Sequence, residues 1–427
     1  MLDLKAIRTN PEPFREGLAR RGAEQDVQAL LALDEQWRAL TARVETLRAE
    51  QNQGSRQVGA ASSPEERQHV IERLRQVSDE LKKAEPELAR LEEALKNAGA
   101  RLPNIPDPSA PDGVSDEDNV EVRRWGEPPE FGFEPRDHVA LGEALGMIDM
   151  ERGARTSGAR FAYLLGPAAR IQFALVQYGL DFAQKRGFTP VVPPVLVREE
   201  AMFGTGFLPT DEAQIYVTRE DNLHLVGTSE VSLAALHMGE ILDAGSLPRR
   251  YVGYSTCFRR EAGSYGKDTR GLFRVHQFDK LEMFSFVLPD ESREEHERFL
   301  GWEEEFYQSL EIAYRVVNVC TGELGASAAK KYDIEAWLPG QQRYREITST
   351  SNTTDYQARR LECRVRLPDG NRPVHTLNGT LSAIGRTLIA LMENGQREDG
   401  SVELPRALQK YLPEQDWVLR PHGERQR

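Results

Sequence analysis

Only three cysteines, Cys257, Cys320 and Cys363, occur in 427 residues, and none belongs to a Cys-x-x-Cys pair. That excludes a disulfide framework and a cysteine zinc site, and it fits reduced thiols in a reducing compartment. No apolar run approaches the roughly 20 residues of a membrane span. The first residues, Met1-Leu2-Asp3-Leu4, lack the basic-then-apolar pattern of a signal peptide. The expectation is a cytoplasmic protein without membrane contact. Positive charge is in short supply too. With 55 Lys+Arg against 68 Asp+Glu the net charge is −13, so any grip on a polyanion must come from a local patch. A phosphate loop of the Gly-x-x-x-x-Gly-Lys-Ser/Thr type, a dinucleotide Gly-x-Gly-x-x-Gly and a His-Glu-x-x-His are all missing. A nucleotide, if handled, must be held by side chains on a sheet.

The length suits two or three domains, and three regions stand out. In the first, Leu30, Leu33, Trp37, Leu40, Val44 and Leu47 follow alternating steps of three and four, as do Val70, Leu74, Val77, Leu81, Ala84, Leu88, Leu91 and Leu95. Two such seams are what a coiled coil needs. Between them lies a break with Gly54, Ser55, Gly59, Ser62, Ser63 and Pro64. Ser63 reads as an N-cap, with Pro64 at the first helical position and Glu66 at the third. The expected shape is an antiparallel helical hairpin, an arm of roughly 45–50 Å at 1.5 Å per residue, with a local bend at Pro86. The second region, 103–118, holds Pro103, Pro106, Pro108 and Pro111 and ends in Asp116-Glu117-Asp118. It resists regular structure and reads as a linker. The resulting divisions are 1–102, 103–118, 119–420 and a loose tail at 421–427.

The third region mixes amphipathic helices with short β-branched strands. Gly187 to Pro194 reads as a strand entering a proline stop. Tyr251–Arg259 and Phe273–Phe284 read as two strands around a Gly-rich charged loop, an antiparallel hairpin with a long connection. Strand and helix do not alternate regularly, so a doubly wound sheet is not favoured.

Four segments carry candidate chemistry. Phe258-Arg259-Arg260-Glu261 opens the loop, and Arg274-Val275-His276-Gln277-Phe278 with Lys280 and Glu282 closes it. An arginine there can grip a phosphate, Glu261 can accept from an adenine amino group, and Phe278 offers a ring for stacking. In Glu346-Ile347-Thr348-Ser349, Glu346 and Ser349 are hard oxygen donors able to hold magnesium. From His375 through Asn378, Gly379 and Thr380 to Arg386, a glycine-containing entry leads into helical spacing, with Arg386 able to reach a phosphate. In Thr228-Ser229-Glu230, the glutamate can pair an ammonium. Each segment taken alone has an ordinary structural reading: surface ion pair, polar strand edge, or capped helix start.

In this order, the segments resemble the three signature motifs of class II aminoacyl-tRNA synthetases, and in particular the bacterial-type seryl-tRNA synthetase family. The resemblance runs from Met1 to about Pro421 and includes the heptad arm, the run Cys320 to Asp333, and the Gly-Leu-Phe-Arg-Val-His-Gln-Phe stretch from Gly271. It implies an α+β protein: an antiparallel coiled-coil arm plus a catalytic domain on an antiparallel β-sheet flanked by helices. It implies ATP and Mg2+ as cofactors, L-serine and tRNA(Ser) as substrates, serylation of tRNA(Sec), and a homodimer formed through the strand ending in Pro193. By the same resemblance Arg259, Arg386 and Glu346 are catalytic. ATP is held by Arg259, Arg260, Glu261, Val275, Phe278, Glu346, Ile347, Thr348, Ser349 and Arg386. Serine is held by Thr228, Ser229, Glu230, Arg259, Glu282, Asn378 and Thr380, and the metal by Glu346 and Ser349.

Four positions depart from the family pattern Asn-Gly-Ser-Gly/Ala-Leu-Ala and its sequel. Thr380 stands for serine, Leu381 and Ser382 replace a small residue and a leucine, and Gly395 stands where an aromatic residue is common. A site built to bond a hydroxyl is expected to discriminate serine from alanine by about 10⁴-fold. An adenylate-forming relative loading another acceptor would not need the heptad arm, and a non-catalytic scaffold would not need the Arg259, Glu261, Glu346 and Arg386 set.

Overall fold

The structure is a computed structural model that describes residues 1–263, 266, 268 and 270–421. The expected tail therefore lies, from 422 onward, outside the described residues. The chain forms two compact units, Leu2–Pro103 and, together with Met1, the residues from Asn104 onward.

The first unit is helical: α1 (Leu4–Thr9), α2 (Glu12–Ala19), α3 (Glu24–Ala60) and α4 (Pro64–Arg101). The two long helices pack along the heptad seams, burying Val44, Leu47, Val77 and Leu81 with Ala84 and Leu88 against them. The turn is tighter than the sequence suggests. α3 runs through Gly54 and Gly59, leaving only Ala61–Ser63 between the helices. Gly54 is not a breaker but a contact point: a Cβ there would lie 2.7 Å from Leu74 Cδ2. The helix therefore spends propensity on close approach. Ser63 caps α4 by accepting from Glu66 N, and Glu66 accepts from Ser62 N. Pro86 lies inside α4, which continues past it. Cross-helix ion pairs join Arg43 to Glu80, Arg48 to Glu85 and Arg73 to Glu50.

The second unit is built on an eight-stranded sheet. Its strands are β1 (Val120–Trp125), β2 (Thr189–Val191), β3 (Arg249–Phe258), β4 (Gln277–Val287), β5 (Tyr314–Asn318), β6 (Lys330–Leu338), β7 (Arg343–Thr354) and β8 (His375–Ala383). Their spatial order is β1-β5-β6-β7-β8-β4-β3-β2. Every neighbouring pair is antiparallel except β2 with β3. The second strand of the expected hairpin begins at Gln277, so Phe273 to His276 belong to the connection. Helices α5 (Pro167–Gln184), α6 (Glu230–Ala235), α7 (Ser292–Ser309), α8 (Tyr356–Arg360) and α9 (Ile384–Asn394) pack against this sheet or flank it. The main core joins Ile171, Leu175, Leu281, Phe299, Phe306, Ile334 and Leu388. The proline-rich stretch is irregular, as its composition requires, yet anchored. Asn104 Nδ2 donates to the Ser327 and Thr353 carbonyls at 2.9 and 2.8 Å, and Asp107 N to the Ala329 carbonyl. No helix of the described residues is long and apolar enough to cross a membrane.

Candidate active site

One face of the sheet lines a cavity of about 400 Å³. Alternation along the strands decides who reaches it. On β8, Asn378 and Thr380 line the cavity, while the intervening Gly379 faces α7. There a Cβ would stand 2.6 Å from Glu303 Oε1 and 2.9 Å from Phe299, so only glycine fits. On β4, Lys280 and Glu282 share the site face. Glu282 is fully buried, paired with the Lys280 ammonium, and accepts from Asn378 Nδ2 at 3.2 Å and Thr380 Oγ1 at 3.3 Å. Thr348 Oγ1 ties β7 to the Thr380 carbonyl.

Glu230 opens α6 and is 7% exposed. Its Oε1 accepts from Gln357 Nε2 at 2.7 Å, and Gln357 is oriented in turn by Thr376. Burial, helped by Glu282, pushes the Glu230 carboxyl up to about 7. Glu303 is buried behind the same end, with neither carboxylate oxygen partnered among the described residues. Burial, then Glu282, lifts it well above the usual carboxylate range.

The other end is cationic. Arg259 Nε donates to the Gly227 carbonyl at 3.1 Å, and its guanidinium stands 5.2 Å from the Phe278 ring centroid. Glu261 takes a left-handed backbone (φ 51°) and accepts from Arg274 Nη1 at 2.7 Å. Arg386, in the first turn of α9, donates to the Glu346 carbonyl at 3.0 Å, approaches its Oε1 at 3.3 Å and lies 4.6 Å from the Phe273 ring. Burial alone would raise the Glu346 carboxyl. Arg386, then Lys331 and Arg259, reverse this and hold it near 2. Glu346 and Ser349 both line the cavity, and an ionised carboxylate and a hydroxyl are hard oxygen donors. That suits a magnesium ion whose remaining ligands are water and phosphate. No cluster of three or more His, Cys, Asp or Glu able to cage a metal occurs among the described residues.

Thirteen of the residues singled out in the sequence line the cavity: Thr228, Glu230, Arg259, Glu261, Val275, Phe278, Glu346, Ile347, Thr348, Ser349, Asn378, Thr380 and Arg386. Glu282 lies directly beneath them. Two do not reach it. The Ser229 hydroxyl is buried toward β3, where a Cβ on Gly253 would meet it at 3.2 Å. The Arg260 guanidinium lies 6.0 Å from the Tyr216 ring centroid, away from the cavity. Both neighbour true lining residues, Ser229 at the start of α6 and Arg260 just past the end of β3. Sequence reasoning gave no role to Lys280, Arg274, Lys331 or Gln357. For Lys280 the signal was available, since it precedes Glu282 by two on a strand. Gln357 comes from a distant helix and had none.

Of the departures from the family pattern, Thr380 lines the cavity and the other three fall outside it. Leu381 is buried in the main core beside Leu281 and Gly179, and Ser382 Oγ pairs with Thr387 Oγ1 at 2.9 Å. A Cβ on Gly395 would stand 2.3 Å from the Glu403 carbonyl, at the far end of α9.

Residues 1–106 match the seryl-tRNA synthetase N-terminal domain, and residues 215–395 match the class II tRNA synthetase core domain (G, H, P, S and T). The serine–tRNA ligase of Acidothermus cellulolyticus is 53% identical over 99% of this chain and 100% of its own length. That of Rubrobacter xylanophilus is 50% identical over 96% and 98%. Among solved structures, the seryl-tRNA synthetase of Pyrococcus horikoshii complexed with ATP superposes with a TM-score of 0.91 at 41% identity, covering 99% of this chain and 100% of that one. A prolyl-tRNA synthetase of Giardia lamblia, at 14% identity and a TM-score of 0.55, covers 63% of this chain and 53% of that one, and shares the fold.

Proposed function

Because the chain belongs to the seryl-tRNA synthetase family, we propose that this cavity divides that family's reaction between two ends. The activity is ATP-dependent joining of L-serine to tRNA(Ser). At the cationic end Arg259 takes the α-phosphate, Arg386 the γ-phosphate, and Phe278 with Glu261 the adenine. At the acidic end Glu230 and Thr228 take the serine ammonium, and Glu282 with Thr380 the hydroxyl. The observation that carries this division is the polarity of the cavity: Glu230 lines one end, with Glu282 beneath Asn378 and Thr380, and Arg259 and Arg386 line the other.

Serine's carboxylate oxygen attacks the α-phosphorus in line, the bond to the bridging oxygen breaks, and pyrophosphate leaves. The carboxylate is already ionised, so no base is needed. The demand is for fixed cations where charge builds on the phosphoryl oxygens. Glu346 and Ser349 would hold Mg2+, which offsets charge on the phosphates. A terminal ribose hydroxyl of the tRNA then attacks the adenylate carbonyl, releasing AMP. Arg260 and Ser229 sit outside this scheme; their side chains serve the fold.

The helical hairpin is the tRNA-binding element of this reading. Arg56, Arg67, Arg75 and Lys83 make no ion pair among the described residues and remain available to a phosphate backbone. A homodimer is supported by exposed apolar side chains around β2: Val192 is 84% and Phe173 62% exposed. A cytoplasmic location and serylation of tRNA(Sec) complete the reading. Serine-dependent exchange of labelled pyrophosphate into ATP, with alanine, threonine, glycine and cysteine in parallel, tests it. Exchange with serine alone is expected. Equal exchange with alanine would refute the pocket assignment.

A further inference from the structure

Three carboxylates, Glu230 from α6, Glu282 on β4 and Glu303 from α7, are buried around the amino-acid end of the cavity. One ammonium stands among them. Lys280 is 6% exposed, pairs with Glu282 Oε2 and lies 3.4 Å from Thr380 Oγ1. The other cations nearby are engaged elsewhere: Arg259 with the Gly227 carbonyl and Phe278, Lys331 with Asp333 at 3.0 Å.

An ammonium has donors and no acceptor, and a carboxylate has acceptors only. Their pairing therefore fixes Glu282 as an acceptor. Without the ammonium, nothing at this end holds the buried Glu282 carboxylate with its oxygens turned to Thr380 and Asn378. We propose that Lys280 is a specificity-determining positioning residue: by holding Glu282 as an acceptor-only carboxylate against Thr380, it makes a hydrogen-bond donor on the substrate side chain the condition for tight binding. The preference for serine over alanine then originates one residue away from the group that touches the hydroxyl. The lysine charge also disfavours a second ammonium at this position, which directs the serine amino group to Glu230.

The proposal rests on Glu282 as the hydroxyl acceptor, so the test separates the two. Amino-acid-dependent pyrophosphate exchange is measured with serine and alanine on the full chain, as wild type, K280M, K280Q, E282Q and K280M/E282Q. The KM for ATP is followed in parallel. K280M is expected to lower kcat/KM for serine by about 10- to 100-fold, the worth of one hydrogen bond to a charged group. The loss should fall mainly on the serine KM, leaving the ATP KM unchanged and alanine little affected. In the double variant the two losses should not multiply; it should match E282Q to within about 2-fold. If K280M does not fold, K280Q, which removes the charge but keeps an amide donor, gives the same comparison. Equal losses for serine and alanine, or multiplicative losses in the double variant, would overturn the proposal. Should E282Q collapse the serine preference while both lysine variants retain it, the proposal fails alone. An unchanged preference in E282Q refutes the acceptor assignment and the proposal with it.

Discussion

Lowering the pH from 8 to 6 should weaken serine binding by about 10-fold. The reason lies at Glu230, whose carboxyl burial and the nearby Glu282 push up to about 7. With that value the group is about nine-tenths ionised at pH 8 and about one-tenth at pH 6. Serine's ammonium is cationic throughout, and only the ionised carboxylate attracts it. The same shift has a consequence for stability. A carboxyl whose folded value is raised above its ordinary 4.5 favours the folded state while protonated. That contribution is complete below about 4.5 and is lost as pH rises through 7. The loss is on the order of 3 kcal/mol in the free enzyme. Bound serine offsets it by supplying a counter-charge, so the serine-induced rise in Tm should be larger at pH 8 than at pH 6. The assays are the serine KM from pyrophosphate exchange at saturating ATP, and thermal melts with and without serine. E230Q should weaken serine binding at every pH and abolish the slope. A wild-type serine KM that stays flat from pH 6 to 8, with E230Q still impaired, would refute the reasoning.

Arg259→Lys should lower kcat by about 10²-fold, because an ammonium cannot reproduce the guanidinium fork on a developing phosphoryl charge; steady-state exchange reads this directly. Glu346→Gln should raise the Mg2+ concentration needed for half-maximal exchange several-fold, with the serine KM unchanged, as a magnesium titration will show. Replacing Arg56, Arg67, Arg75 and Lys83 together by alanine should leave exchange intact while tRNA charging falls and its salt dependence flattens. Leu81→Ala, in the apolar seam between α3 and α4, should cost about 2 kcal/mol, visible as an earlier helical transition by circular dichroism.

Local periodicity was legible in the sequence. The heptad seams, the Ser63 cap and the antiparallel hairpin leading into Glu282 follow from residue spacing, and the structure shows each of them. Contacts between distant segments were not. Gly54 reads as a breaker until Leu74 is seen against it. Gln357 reads as an ordinary helical glutamine until its amide meets Glu230 across 127 positions of chain. The proline-rich stretch advertises irregularity but not its anchor, because the partners of Asn104 lie at Ser327 and Thr353. Ser229 and Arg260 show the opposite error. They stand within motifs whose neighbours line the cavity, but Ser229 sits at a helix start and Arg260 in the turn after β3, and the local backbone sends both side chains elsewhere.

The two ends of the cavity are built over one hydrogen-bonded sheet, with Glu282 on β4, Thr380 on β8 and Glu346 on β7, and Thr348 bonded to the Thr380 carbonyl. On the proposed division, amino acid and nucleotide enter as separate molecules, each held by one end and free to leave alone. Reaction ties serine and AMP into one molecule that spans both ends. Its escape requires simultaneous release at each, so its residence lengthens without any new contact. Pyrophosphate, held at one end only, departs first. On that division the fixed spacing of the strands would act as a latch for the reactive intermediate until the tRNA arrives.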